Sequence, residues 1–84
     1  MLNQNYPNPF NPSTTIRYGL PQSSTVSLTV FNALGQRVRQ LVNEEQEAGY
    51  HEVKFDGTGL ASGVYFYRLR AGGFVETKNF LFLQ

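Results

Sequence analysis

The sequence predicts an all-β fold, an antiparallel sandwich of about seven short strands. Three observations carry this. Apolar residues alternate with polar ones at period two along most of the chain, the alternating runs recur at roughly 8–12-residue spacing between Gly-, Asn- and Pro-bearing turns, and no stretch keeps a helical period over a useful length. At 84 residues the chain is one small domain, near the lower end of sizes that fold unaided. It has no cysteine, so apolar burial must hold it together without disulfides. Seven Phe and five Tyr make that feasible, since each ring can bury roughly 150–250 Å².

The chain opens on a leader, residues 1–12, that contains Asn5-Tyr6-Pro7-Asn8-Pro9-Phe10-Asn11-Pro12. Each proline fixes its own φ, offers no N–H and pushes the residue before it out of the helical region, so the segment is expected to be extended and stiff. Tyr6 and Phe10 lack periodic partners of their own, and both rings are expected to dock on the sandwich that occupies residues 13–84.

In the first strand Ile16, Tyr18 and Leu20 share a face opposite Thr15 and Arg17, and Pro21 ends the run. From Thr25 to Asn32, Val26, Leu28 and Val30 alternate with Ser27 and Thr29, and Asn32-Ala33-Leu34-Gly35 supplies a turn. The return strand runs from Gln36 to Val42; Leu41 and Val42 are adjacent apolar residues, which points to a bulge near Gln40, with a short helix as the competing reading. Glu44 to Ala48 reads as a polar, solvated turn. Next, His51, Val53 and Phe55 face one way and Glu52 and Lys54 the other, until Asp56-Gly57-Thr58-Gly59 breaks the strand. Ser62 to Ala71 places Tyr65, Tyr67 and Leu69 on one face and Val64, Phe66, Arg68 and Arg70 on the other. Gly72-Gly73 is the clearest hairpin signal, and Phe74 to Leu83 pairs back, ending in Phe80-Leu81-Phe82-Leu83, apolar on both faces. Strand number and spacing together point to an immunoglobulin-like sandwich, although the Cys-Trp-Cys pattern of antibody domains is absent.

Few groups suited to catalysis converge. The single histidine, His51, lies on the strand face opposite Asp56, and no serine sits in a Gly-x-Ser-x-Gly elbow, so no catalytic residue is assigned. One histidine and scattered carboxylates do not make a zinc site, and Asp56-Gly57-Thr58-Gly59 lacks the alternating ligands of a calcium loop; no metal and no cofactor are expected. The formal charge of +1 is nearly balanced and its basic residues are scattered, which argues against nucleic acid. No apolar run approaches the roughly 20 residues of a membrane helix, so no membrane insertion is expected. Tyr65, Phe66 and Tyr67 read as core more readily than as a stacking platform for sugars or bases.

Taken together, the leader, Thr14-Thr15-Ile16-Arg17-Tyr18, Val30-Phe31-Asn32-Ala33-Leu34-Gly35-Gln36-Arg37-Val38, Leu60-Ala61-Ser62-Gly63-Val64-Tyr65-Phe66-Tyr67-Arg68-Leu69 and the stretch through Lys78 resemble the type A C-terminal sorting domains of the type IX, or Por, secretion system. The resemblance spans nearly the whole chain. It implies an immunoglobulin-like cargo address found on proteins of Bacteroidetes and related phyla. Such an address is borne by an N-terminal cargo domain, read by outer-membrane translocation machinery and in many cargos removed by a sortase-like peptidase. The implied destination is the cell surface or the medium, by way of periplasm and outer membrane. Family motifs carried onto this chain give Pro7, Asn8, Pro9, Phe10, Gly63, Val64, Tyr65 and Lys78 as sorting-motif residues, and the terminal apolar strand, Phe80, Leu81, Phe82 and Leu83, as the surface for translocon recognition. The chain departs from many members in closing on Leu83-Gln84 where they carry a basic residue. Other functions open to such a sandwich are a retained adhesive or carbohydrate-binding module, a structural assembly domain and, more distantly, a hydrolase built on His51 and Asp56.

Overall fold

Six strands form where the period-two runs fall in the computed structural model, which describes all residues from Met1 to Gln84: β1 (Ser13–Leu20), β2 (Ser24–Asn32), β3 (Arg37–Gln46), β4 (Gly49–Asp56), β5 (Gly63–Ala71) and β6 (Phe74–Phe82). All pairings among these six strands are antiparallel. β1 and β4 make a two-stranded sheet, and the order β3-β2-β5-β6 makes a four-stranded one. The period-two faces of both sheets meet in one cluster of 16 buried apolar residues, so the architecture is a sandwich.

Turn chemistry sets the registers. Asn32 Oδ1 accepts from the backbone N–H of Leu34 and of Gln36, each at 3.0 Å, which folds the β2–β3 connection back on itself. Gly72-Gly73 joins β5 to β6 with Ala71 opposite Phe74. In β3 the register shifts twice: Leu28 and Thr29 face Val42 and Gln40, which leaves Leu41 as the extra residue, and a second shift falls between Val30 and Phe31. The slipped period near Gln40 is therefore a bulge within a strand, not a helix.

Three details differ from the sequence reading. Glu44, Glu45 and Gln46 lie in β3, opposite Val26, Thr25 and Ser24, and only Glu47 and Ala48 separate β3 from β4. Polar residues fit there because β3 is an edge strand whose side chains reach water, and Thr25 donates to Glu45 at 3.0 Å. The strands number six, and the leader supplies further ladder fragments through bridges of Leu2 with Tyr18, Tyr6 with Thr15 and Phe10 with Phe82. Finally, Phe10 docks as expected, with 3% of its surface exposed, but Tyr6 is 80% exposed. The leader bends at residues 7–9 and again at 11–12, and its register against β1 slips by one residue between the Leu2–Tyr18 and Tyr6–Thr15 bridges, so that Leu2 and Asn5 both turn in while the Tyr6 ring points outward. The three Xaa-Pro bonds of the leader are cis.

Candidate functional site

The leader occupies one open seam of the sandwich. β1 has a partner only in β4 and β6 only in β5, so on this side each sheet presents an edge. Along the β1 edge the leader forms a short antiparallel ladder. Asn3 N–H donates to Arg17 O at 2.9 Å, Tyr6 and Thr15 exchange bonds of 3.0 and 2.9 Å, and Gly19 N–H reaches Met1 O at 2.8 Å. Along β6, Leu2 N–H donates to a Glu76 carboxylate oxygen, Gln4 Nε2 to Asn79 O, and Leu81 N–H to Asn8 Oδ1. Phe10 N–H then donates to Leu81 O and Leu83 N–H to Phe10 O, both at 3.2 Å. Backbone groups that would otherwise lie unpaired at two sheet edges are thus satisfied by one segment.

Side chains fix the segment as well. The Phe10 ring sits 4.8 Å from Phe80, 5.1 Å from Phe82 and 6.1 Å from Phe55, the Phe55 and Phe80 contacts edge-on. At the other end a buried polar network surrounds Asn5. Its N–H donates to Tyr67 Oη at 2.8 Å, its amide nitrogen to Thr14 Oγ1 at 3.0 Å and to Pro7 O at 3.1 Å, and its amide oxygen accepts from Gln4. Tyr67 hydroxyl donates onward to Asn3 O at 2.8 Å, and Thr14 hydroxyl to Pro7 O. Burial pushes the Tyr67 phenol up to about 12; the Asn5 N–H opposes the rise and Glu76 adds to it. No side-chain nitrogen or oxygen buried in the molecule lacks a partner.

The structure brings the sequence-selected residues together in part. Pro7, Asn8 and Pro9 form an exposed bend that meets the end of β6 through Asn8 and Phe10. In that terminal stretch Phe80 and Phe82 turn into the core at 2% exposure each, while Leu81 is half-buried and Leu83 exposed. Gly63, at the start of β5, has φ +151°, a conformation that side chains rarely adopt, and it pairs with Phe82. Tyr65 is a core ring stacked on Phe80 at 5.6 Å, its hydroxyl donating to Ala61 O; Val64 points outward and is exposed, and Phe66, expected in the core with Tyr65 and Tyr67, has the outward parity and is only half-buried. Lys78 lies 3.5 Å from Glu76 beside the leader.

Asn5, Thr14 and Gly57 were not singled out by sequence reasoning. Thr14 shares the inward parity of Ile16 and Tyr18, a signal that alternation does carry. Nothing local marks Asn5, whose partners outside the leader come from β1 and β5. Gly57 N–H donates to Pro12 O, and a Cβ there would lie 2.8 Å from the Phe82 ring, so this glycine is required by close packing.

Elsewhere, groups for chemistry stay apart. His51 stacks on Tyr18 at 5.4 Å with Nε2 2.8 Å from Glu47 O, and Asp56 accepts from Thr58, whose hydroxyl and N–H hold the carboxyl below its ordinary value. No three His, Cys, Asp or Glu side chains gather as a metal site.

The leader is thus tied to the last strand through Asn8 and Phe10. Residues 4–82 match the family described as the secretion system C-terminal sorting domain. The chain belongs to that family. No curated protein matches it. The sorting domain is a C-terminal address for type IX secretion, which decides for sorting over the adhesive and assembly readings, and its family is not a catalytic one. A protein carrying this sorting domain is cargo of the type IX machinery, bound for the cell surface or beyond.

Proposed function

We propose that the export machinery reads this sorting domain as a folded object, at the place where its leader meets its last strand. One observation carries the reading: Asn8 and Phe10 bond to the backbone of Leu81 and Leu83, so motifs more than seventy positions apart in sequence form one exposed patch. Pro7, Asn8, Pro9, Leu81 and Leu83 supply its surface, whereas Phe80, Phe82, Gly63 and Tyr65 act by holding the shape beneath it. Lys78 contributes by pairing with Glu76, which in turn accepts from Leu2. An apolar patch at a strand end suits recognition by an outer-membrane receptor as the cargo passes from periplasm to surface.

The leader marks the boundary between cargo and address. Because residues 1–12 belong to the folded sandwich, a sortase-like peptidase that removes the domain acts before the Leu2 and Asn5 anchors, on whatever cargo sequence precedes them. The test is a periplasm-directed fluorescent protein fused ahead of this domain in a type IX-competent bacterium. The fusion is expected at the surface or in the medium, and L81D/L83D, which leaves the core rings in place, is expected to hold it in the periplasm. Export of the doubly substituted fusion at the unsubstituted level would refute the patch, and failure of the unsubstituted fusion to leave the cell would refute the function. Mass spectrometry of released cargo distinguishes removal of the domain from its retention.

A further inference from the structure

The outer face of the four-stranded sheet has no covering layer. Its residues are the outward set of each strand. Arg37, Phe31, Phe66 and Asn79 form one row across the sheet, Gln40, Thr29, Arg68 and Thr77 the next, and Ser27, Arg70 and Val75 a third. Phe31 and Phe66 are half-buried, and Val64 and Val75 are 45% and 50% exposed. The guanidinium of the half-buried Arg68 lies over the Phe31 ring at 4.6 Å and makes no side-chain hydrogen bond or ion pair.

Charge on this face is one-sided. Arg37, Arg68 and Arg70 stand on it, and the acid of the face, Glu45, sits at the margin opposite Thr25 and accepts its hydroxyl. The ion pairs of the molecule, Arg17–Glu52 and Lys78–Glu76, lie elsewhere, so none of the three arginines has a carboxylate partner. In a chain of net charge +1 this concentrates positive potential on one surface. Aromatic residues with arginine, ringed by Gln and Thr, also match the make-up of the centre and rim of a protein interface. Three cations spaced among apolar side chains are too sparse for a phosphate backbone, which would leave the Phe and Val surface wet.

We propose that this face docks an acidic surface of a folded protein partner, the arginines meeting carboxylates while the Phe and Val side chains are covered. The proposal rests on the export reading and specifies the chemistry of a second contact with the machinery. It is tested in the same reporter fusion, with R68E/R70E compared with R17E/K54E, a pair that makes an equal charge change on the outer face of the small sheet. Surface fluorescence is expected to fall about ten-fold or more for R68E/R70E and to stay at the unsubstituted level for R17E/K54E. R70E alone, at an exposed position that makes no side-chain hydrogen bond, is expected to show a several-fold loss with an unchanged melting temperature, which separates docking from folding. Normal export of R68E/R70E, or an equal loss in both pairs, would overturn the proposal without touching the export function. Binding of the purified domain to phosphatidylglycerol vesicles that R68E/R70E abolishes would overturn it in favour of a lipid surface.

Discussion

Replacing Phe10 by alanine separates a leader that merely precedes the sandwich from one that is part of it. The ring is 3% exposed and touches Phe55, Phe80 and Phe82, so truncation removes its burial and three aromatic contacts at once. Core Phe→Ala changes cost about 3–5 kcal/mol, and the edge-on contacts with Phe55 and Phe80 place this site in the upper part of that range. For a chain of 84 residues, total stability is on the order of 4–12 kcal/mol, so F10A removes a third of it or more. Each kcal/mol is worth about 4–8 °C in a domain of this size, and the melting temperature is expected to fall by at least about 12 °C. Thermal denaturation followed by circular dichroism, with Y6A beside it, makes the comparison internal: Tyr6 is 80% exposed and its truncation should stay within about 0.5 kcal/mol. Equal melting temperatures for F10A and Y6A would show that the leader is not bound in solution as described, and the seam closed by residues 1–10 would have to be abandoned.

Further expectations follow from the same packing. Gly57→Ala forces a methyl group against the Phe82 ring, whose nearest atom would lie at 2.8 Å, and should cost about 1–3 kcal/mol in urea denaturation, while Gly73→Ala, with open space around it, should cost well under 1. Tyr67 has its phenol raised from 10.0 to about 12, so the folded state favours the protonated form. The stability this contributes, up to about 2–3 kcal/mol, is fully present below pH 10 and is lost as pH rises towards 12. Denaturation midpoints between pH 9 and 12 should fall more steeply for the unsubstituted domain than for Y67F, and parallel curves would refute the assignment. Y67F itself leaves Asn5 N–H and Asn3 O without their partner and should cost about 1–3 kcal/mol at neutral pH, read from the same midpoints.

Where a residue's role follows from its neighbours along the strand, the sequence was sufficient. Period-two alternation put Ile16, Tyr18, Val26, Leu28, Val30, Tyr65, Tyr67 and Leu69 on core faces, and all are buried. The slipped period at Leu41 gave the bulge, and Gly72-Gly73 gave the hairpin. Alternation could not place Glu44 to Gln46, because an edge strand tolerates charges that a turn would also favour, and what decides is whether β2 extends beside them.

By itself, then, the sequence determined the all-β class and the inward faces of β1, β2, β4 and β5, since these depend on local backbone geometry and the spacing of side chains, and it carries the stretches that resemble the sorting family. Only the tertiary structure decided which leader ring is anchored. The leader's register against β1, which slips by one residue between the Leu2–Tyr18 and Tyr6–Thr15 bridges, turned Asn5 inward and Tyr6 outward, and Phe10 reached the core only because the open ends of two sheets lie side by side there. It likewise divided the terminal apolar run into Phe80 and Phe82, which hold the core, and Leu81 and Leu83, which meet the leader at the surface. That division rests on contacts between segments more than seventy residues apart, which no window along the chain contains.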